Sequence, residues 1–315
     1  MSEEIAEPEL NPFGKSRRNF LRDIGVGIGF LAAPGLASAQ DSNLEKKIES
    51  SIKKLRREGR IEADEKTAWS VYDFTIRQKL VAINEEQPFQ SASMGKPLVA
   101  LAFLHEVNSG VIKYNSEYRQ YMERMIRDSD NVSTNFLMQK IGGPRRAHQI
   151  LRQYYGIILQ QTSIIDYMPL TKKEKRRAKR EGINVPSGKS YYSNHSSARD
   201  YSRLLYALWN NQLPYSQELK RLMALQKKDR IYDGTKVPEG TIIIDKTGST
   251  GRLCGDMGVL VVKDRNGRLY PYTIIGIIQK DSKAVDYGKW IKSRGDVIRE
   301  VSNIVYDYMK VKHKL

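Results

Sequence analysis

A serine stands three residues before a lysine where an apolar stretch begins, in QSASMGKPLVALAFLHEV, residues 90–107. The hydroxyl of Ser93 is a poor nucleophile at neutral pH unless a neighbouring base takes its proton. If the stretch is helical, Lys96 lies on the same face, and a partly desolvated lysine can be that base. The spacing alone is weak, because it recurs at Ser50 and Lys53 in a segment that suits a solvated helix. The pair is therefore a candidate nucleophile and base that needs support from other residues.

Two polar triplets further along the sequence supply that support. The first is Ser-Asp-Asn at 129–131, and the second is Lys-Thr-Gly at 246–248. Ser-x-x-Lys, Ser-Asp-Asn and Lys-Thr-Gly form the set found in penicillin-binding proteins and class A β-lactamases. On these motifs the chain resembles the serine β-lactamase and penicillin-binding protein superfamily, and most closely its class A β-lactamase branch. The segments FQSASMGK and SDNVSTNFLMQKIGGP extend the resemblance, which covers essentially the whole chain after residue 39.

The resemblance implies a role in acyl transfer for each motif. Ser93 attacks an amide carbonyl and Lys96 takes its proton, while Ser129 returns a proton to the leaving nitrogen. The backbone amides of Ser93 and Ser249 stabilise the negatively charged oxygen that forms. The catalytic residues implied in this way are Ser93, Lys96, Ser129 and Lys246.

The same resemblance implies a binding surface for the substrate. Asn131 holds the substrate's side-chain amide. Lys246, Thr247 and Ser249 offer a cation and hydroxyls to a carboxylate, a group that β-lactams share with peptidoglycan stem peptides. Gly248 has no side chain, which lets a ligand come close to the strand backbone. No cofactor and no metal ion are expected.

The sequence departs from the family where the acyl group must be released. Class A β-lactamases resemble one another in a loop whose glutamate, in a Glu-x-x-Leu-Asn setting, activates the hydrolytic water. The corresponding stretch here is TSIIDYMPLTKKEK, in which Asp166 falls at the aspartate that opens the loop and Pro169 stands where the glutamate would be. Because this loop is longer and more basic than the family's, Asp166, Glu174 or Glu181 could instead be the base. We expect an acyl-enzyme that water attacks slowly.

The pattern of apolar residues sets these motifs on an α/β framework. An amphipathic helix and a hairpin (TAWSVYDF, KLVAIN) precede Ser93, while three β-rich runs and a last helix, from about 289 to 310, follow the helical middle of the chain. The expected fold is α/β (α+β) and class A β-lactamase-like, with an antiparallel five-stranded sheet flanked by the N- and C-terminal helices and an inserted all-helical subdomain. We assign one serine hydrolase domain to 40–315, with a sheet subdomain at 40–90 and 240–315, a helical subdomain at 91–239 and a long irregular basic loop at 156–195.

The first 39 residues predict export. The segment SRRNFLRDIGVGIGFLAAPGLASAQ has twin arginines (Arg17, Arg18), a weakly apolar run and small residues, which is typical of a twin-arginine signal cut after about Ala39. An uncleaved membrane anchor is the alternative. We expect a periplasmic or otherwise exported protein with no membrane span in the mature chain. The single cysteine, Cys254, excludes an internal disulfide and reads as a small buried residue.

The formal charge of +17 indicates anionic partners. Seven basic residues and one acid lie at 171–180, a composition that usually marks a solvated helical face or loop. For an exported protein the available polyanion is a cell-wall polymer, and no nucleic acid is expected because aromatic residues do not interleave with the basic ones. His195 has no spaced partner for a metal site, whereas Arg252 and Asp256 could line the substrate site. We expect a monomer.

Several functions fit this sequence. The first is an exported serine acyl-enzyme hydrolase of the class A β-lactamase type, acting on a β-lactam or peptidoglycan-like amide with doubtful deacylation. The alternatives are a penicillin-binding enzyme similar to a D-Ala-D-Ala peptidase, and a non-hydrolytic cell-wall binding protein that holds anionic polymer through its basic loop. A complete proton-transfer set weighs against a pure binder, and polyanion binding alone rests only on charge.

Overall fold

A five-stranded antiparallel sheet forms the centre of the fold in the computed structural model, which describes residues 41–225 and 229–315. The predicted export signal at 1–39 lies outside these residues. The strands are β1 (Glu65–Asp73), β2 (Gln78–Ile83), β3 (Pro88–Gln90), β4 (His195–Ser197), β5 (Ile242–Ser249), β6 (Leu253–Lys263) and β7 (Leu269–Lys280). The sheet runs in the order β2-β1-β7-β6-β5, and β3 pairs with β4 in a small separate sheet.

Strands from both ends of the sequence share this sheet, as the sequence predicts. Strand β1 lies between β2 and β7, with Glu65 opposite Lys280 and Asp73 opposite Tyr272. Strand β5, which ends in Lys-Thr-Gly and Ser249, lies at the edge of the sheet beside β6. An edge position leaves one side of β5 open to a ligand.

Helices cover both faces of the sheet because its side chains alternate between two hydrophobic cores. In β6, Leu260 and Val262 face the core shared with the terminal helices, whereas Val259 and Val261 face the core of the helical subdomain. The helices are α1 (Asp41–Arg57), α2 (Lys96–Asn108), α3 (Ser116–Arg127), α4 (Asn131–Ile141), α5 (Pro144–Tyr155), α6 (Lys172–Arg180), α7 (Ala198–Trp209), α8 (Ser216–Met223) and α9 (Tyr287–His313).

Helix α2 is the axis of the helical subdomain. Eleven of its thirteen residues are buried, including Leu98, Leu101 and Leu104. A helix that is apolar on all sides is stable only inside a core. The catalytic lysine predicted at its first turn is therefore fixed to a rigid element. No helix in the described parts of the chain is long and apolar enough to cross a bilayer.

The segment at 156–195 is more regular than the sequence predicts. It contains helix α6 and a 3-10 turn at Tyr191–Ser193. Helix α6 begins with a capping box, in which Glu174 N donates to Thr171 Oγ1 and Thr171 N donates to Glu174 Oε2. Such a box satisfies two backbone donors, so a strongly basic segment can still be helical. The prediction of an irregular loop overlooked this signal. Elsewhere in the chain, helix α5 and the β3-β4 pair were not predicted from the sequence either.

Candidate active site

The predicted nucleophile lies on a strained turn at the start of α2. Ser93 belongs to a 3-10 turn, Ala92–Gly95, and is partly exposed, whereas Met94 behind it is fully buried. Ala92 has φ of 44°, a left-handed conformation that is uncommon for a residue with a side chain. Such strain persists only where the surroundings enforce it, and it is typical of functional sites.

Strand β5 presses directly against this turn. A side chain added at Gly248 would lie 2.9 Å from Met94 Cγ and 3.1 Å from Met94 N. The missing side chain at Gly248 therefore makes room for the nucleophile turn, a reason different from the ligand approach that the sequence suggested. Contact with Met94 joins the edge strand to the residue that follows Ser93.

Lys96 is buried completely and points toward the Ser-Asp-Asn motif. Its Nζ donates to the Ser129 carbonyl and, at 3.1 Å, to Ser129 Oγ. Burial lowers the pKa of Lys96 well below its ordinary value, and the charge of Lys246 lowers it further, against the opposing effects of Asp130 and Glu174. A lysine with a lowered pKa can be neutral near pH 7, which a proton acceptor must be.

The Ser-Asp-Asn motif forms the tight turn into α4. Ser129 has φ of 55°, and Asp130 caps the helix by accepting from Ser133 N at 2.7 Å. The Asp130 carboxylate also forms an ion pair with Arg177 of the basic helix α6. Asp130 is buried whereas Arg177 is partly exposed, so the ion pair is half shielded from water and joins α6 to the motif. The sequence gave no sign of this connection.

The second cation, Lys246, is as buried as Lys96. Burial lowers the pKa of Lys246 to about 8, against the opposing charges of Asp245 and Asp256. Asp256 is itself fully buried and accepts from Arg230 N at 2.6 Å. Burial raises the pKa of Asp256 to about 6. Asp256 therefore lies beneath the strand and does not line the cleft, contrary to the suggestion from the sequence.

Asn131 faces the loop where the family carries its water-activating glutamate. Its Nδ2 donates to the Pro169 carbonyl at 3.3 Å. The neighbouring backbone is held by Asn135, whose Oδ1 accepts from Met168 N and whose Nδ2 donates to Met168 O, both at 2.8 Å. Pro169 is thus held beside the predicted amide-binding residue, and its ring offers no proton acceptor.

The structure separates the three acids that the sequence left open as replacement bases. The Asp166 carboxylate accepts hydrogen bonds from Tyr167 N at 2.8 Å and from Lys189 N at 3.0 Å. Its oxygens therefore bind the backbone of its own loop. Glu181 is exposed and 3.6 Å from Arg124. Of the three, Glu174 is the acid whose charge acts on the pKa of Lys96, which it raises.

Two tyrosines that the sequence analysis missed contact predicted binding residues. The Tyr287 hydroxyl donates to Ser249 Oγ at 3.1 Å, and Asn131 Nδ2 donates to the Tyr191 hydroxyl at 3.4 Å. Arg252 stacks on the ring of Tyr192 with 4.9 Å between Cζ and the ring centroid. These contacts join residues 38 to 60 positions apart, so no local pattern could have revealed them.

The geometry brings the predicted catalytic groups into one buried cluster beside Ser93. Lys96 contacts Ser129 directly, and Lys246 acts on Lys96 through its charge. Within residues 41–225 and 229–315, no group of three or more His, Cys, Asp or Glu side chains could hold a metal ion. The arrangement allows proton transfer between Lys96 and the Ser129 hydroxyl, next to the turn that carries Ser93.

Comparison with known proteins agrees with this fold. The sequence model described as "Beta-lactamase enzyme family" matches residues 46–120 and 113–309. No curated protein matches the sequence significantly. The expected class A β-lactamase-like fold is confirmed, because solved structures of that class superimpose on most of the chain.

Three of these solved structures illustrate the likeness. A variant of PBP-A, in an acyl-enzyme complex with penicillin G, has a TM-score of 0.63 at 19% identity, over 87% of this chain and 97% of that one. A class A β-lactamase from Bacteroides cellulosilyticus has a TM-score of 0.60 at 19% identity, over 85% of this chain and 99% of that one. TLA-3 extended-spectrum β-lactamase has a TM-score of 0.62 at 17% identity, over 85% of this chain and 98% of that one. At such identities the likeness extends to the fold alone.

Proposed function

The chain belongs to the beta-lactamase enzyme family, and on that premise we propose that it is an exported serine hydrolase that forms an acyl-enzyme on Ser93. Its substrate is a β-lactam or a peptidoglycan-like amide. The observation that carries the proposal is the hydrogen bond of 3.1 Å between the buried Lys96 Nζ and Ser129 Oγ. A pure binding protein has no need to bury a lysine there, because burying a cation is unfavourable.

Proton transfer in the proposed reaction uses three side chains. Neutral Lys96 accepts the proton of Ser93 Oγ as that oxygen bonds to the carbonyl carbon. The lysine then returns the proton through Ser129 Oγ to the leaving nitrogen as the amide bond breaks. Backbone amides of Ser93 and Ser249 stabilise the oxyanion. The lowered pKa of Lys96 supports this assignment.

Substrate binding in this proposal uses both walls of the cleft. Asn131 binds the side-chain amide, whereas Lys246, Thr247 and Ser249 bind the carboxylate. Gly248 contributes by letting the nucleophile turn lie against β5. The pKa of Lys246, lowered to about 8, leaves this side chain mostly cationic at pH 7, as an anion-binding residue must be.

Release of the acyl group is the slow step in our proposal. The Pro169 ring cannot activate water, and its carbonyl already accepts from Asn131 Nδ2 and the Tyr191 hydroxyl. Glu174 is the acid best situated to replace the missing glutamate, because its charge acts on Lys96. However, Glu174 Oε2 accepts a hydrogen bond of 2.7 Å from the Thr171 backbone amide, and this bond makes the carboxylate a weaker base.

Two further features complete the proposal. We assign residues 1–39 to a twin-arginine signal, which directs the protein to the periplasm or otherwise out of the cytoplasm, and we propose separately that the protein is a monomer. The outward face of α6 can hold an anionic cell-wall polymer, since its cations are exposed (Lys172, Lys173, Lys175, Arg176, Lys179 and Arg180). This second contact favours substrates that are part of the cell wall, and so keeps the peptidase-like alternative open.

Intact-protein mass spectrometry tests the proposal. The mature chain is mixed with penicillin G and sampled over minutes and hours, with Ser93→Ala as the matched control. We expect an adduct that persists for hours in the wild type and is absent from the variant. Rapid loss of penicillin without an adduct would instead indicate efficient deacylation. No adduct and no loss would favour the cell-wall binding protein, and an adduct retained in the variant would refute Ser93 as the nucleophile.

A further inference from the structure

Tyrosine hydroxyls already occupy both walls of the proposed cleft. On one wall, Asn131 Nδ2 donates to the Tyr191 hydroxyl, which in turn donates to the Pro169 carbonyl at 3.3 Å. On the other wall, the Tyr287 hydroxyl donates to Ser249 Oγ at 3.1 Å. Asn131 and Ser249 are the side chains to which we assign the substrate's amide and carboxylate. Each of them therefore has a tyrosine partner before a substrate arrives.

The two tyrosines come from different elements, and each contacts a residue on its own wall of the proposed cleft. Tyr191 begins the 3-10 turn after the basic helix, and Tyr287 is the first residue of α9. Burial raises the pKa of the Tyr191 phenol, and the charge of Glu174 raises it further, ahead of a smaller effect of Tyr287.

The next residue of the turn contacts the segment that follows β5. The ring of Tyr192 lies under the guanidinium of Arg252, at 4.9 Å. Because Arg252 closely follows β5, the turn contacts the Asn131 wall through Tyr191 and the β5 wall through Tyr192. These two contacts join the turn to Asn131 and to Arg252.

Core packing does not account for these rings. Tyr287 is 49% exposed and Tyr192 is 52% exposed. Neither of these rings nor that of Tyr191 belongs to either hydrophobic core of residues 41–225 and 229–315. Large rings left partly in water and hydrogen-bonded to binding residues are typical of recognition surfaces.

We propose that Tyr191 and Tyr287 form a size filter that admits amides with an unbranched substituent and excludes those branched beside the side-chain amide. The inference rests on the acylation of Ser93 proposed above. A thin substituent passes between the two rings and leaves their hydrogen bonds in place. A branched one must displace the rings and break their bonds to Pro169 and Ser249.

Two cephalosporins provide a matched pair of probes. Cephalothin and cefotaxime share a ring system and a leaving group at the ring's far end, but the acyl side chain is unbranched in cephalothin and oximino-branched in cefotaxime. The rate constants for formation of the Ser93 adduct are measured by mass spectrometry for the wild type, Tyr191→Ala, Tyr191→Phe and Tyr287→Ala. Tyr308→Ala is the control. Tyr308 lies on the same helix as Tyr287, α9, but about 30 Å further along it and so away from the cleft.

The expected result is a change in selectivity with the nucleophile intact. The wild type reacts faster with cephalothin, and each cleft alanine variant lowers the cephalothin-to-cefotaxime ratio by about tenfold or more. Tyr308→Ala keeps the wild-type ratio, and Tyr191→Phe, which keeps the ring but loses the hydrogen bond to Pro169, lowers the ratio less than Tyr191→Ala does. Adducts in every protein with an unchanged ratio would overturn the filter alone. Absence of any Ser93 adduct, in the wild type and all variants, would overturn the proposed function and the filter with it.

Discussion

Two glycines that face each other across β5 and β6 allow a sharp test of how the nucleophile is positioned. Gly248 is opposite Gly255, and a methyl group added at either position would meet Met94. At Gly248 the new carbon lies 3.1 Å from Met94 N, which is backbone. At Gly255 it lies 2.7 Å from Met94 Cε, the end of a flexible side chain. The two alanine variants thus add the same group against the same residue.

The expected magnitudes follow from what must move. Carbon atoms pack at about 3.5 to 4.0 Å, so Gly248→Ala must shift the turn that holds Ser93 by roughly 0.5 Å or more. Overpacking of this kind lowers the free energy of unfolding by about 1–3 kcal/mol. A displacement near 1 Å slows an oriented reaction about 100-fold, so we expect Ser93 acylation to slow about 10- to 100-fold. For Gly255→Ala the Met94 methyl can rotate away, and the rate should fall less than about threefold.

Denaturant unfolding and timed mass spectrometry of the penicillin G adduct measure both effects on the same samples. Comparison at equal folded fractions separates the position of the turn from loss of stability. The reasoning is refuted if Gly255→Ala slows acylation as much as Gly248→Ala. It is also refuted if Gly248→Ala, though folded, reacts at the wild-type rate, since the edge strand would then have no part in holding Ser93.

Other contacts give further predictions. Glu174→Gln should form the adduct at a rate within about twofold of the wild type, but the adduct should live about tenfold longer or more. Its lifetime is measured by mass spectrometry after removal of free penicillin, and an unchanged lifetime would exclude Glu174 as the base. Arg177→Met removes the partly exposed partner of Asp130 and should lower the free energy of unfolding, measured in urea, by about 1–2 kcal/mol. The control variant Arg176→Met, on the same helix, should change that free energy by less than about 0.5 kcal/mol. The pKa of the Asp256 carboxyl is about 6 in the folded protein and about 3.9 in the unfolded chain, so the folded state binds this proton more tightly. The resulting contribution to the free energy of unfolding is present near pH 4 and should be lost as the pH rises through about 6. Asp256→Asn should flatten that loss in urea titrations, and an unchanged slope would place its cause elsewhere.

The fold could be predicted from the sequence because its signals are local and mutually consistent. The hairpin of β1 and β2, the Gly pair after α4 and the three C-terminal strands each have a short pattern. Helix α6 was not assigned as an element, because its composition fits a solvated helical face and a loop equally well. Its capping box, Thr171 with Glu174, was the available signal, and charge composition obscured it.

The candidate site was predictable only where the family motif lies. The resemblance implied that Ser93, Lys96 and Ser129 act together, and the structure shows the contact between Lys96 and Ser129; the chemical roles of all three stay predictions. The partners of those residues were not predictable, because Arg177, Tyr191 and Tyr287 reach the site through tertiary packing. No local sequence pattern identifies such contacts, because the partners lie far apart in the chain.

The place of β1 in the sheet sets the order in which this enzyme can be completed. Strand β1 pairs with β7, and Glu65 meets Lys280 more than 200 residues later in the chain. At about 5–20 residues per second, a ribosome needs roughly 10–40 s to make that partner, during which one edge of the N-terminal hairpin is uncovered. Strand β5 likewise gains β6 only near the end of synthesis. A leader at the N-terminus would therefore emerge well before any catalytic centre exists, and an export machinery that accepts only finished proteins would have to wait for the last quarter of the chain.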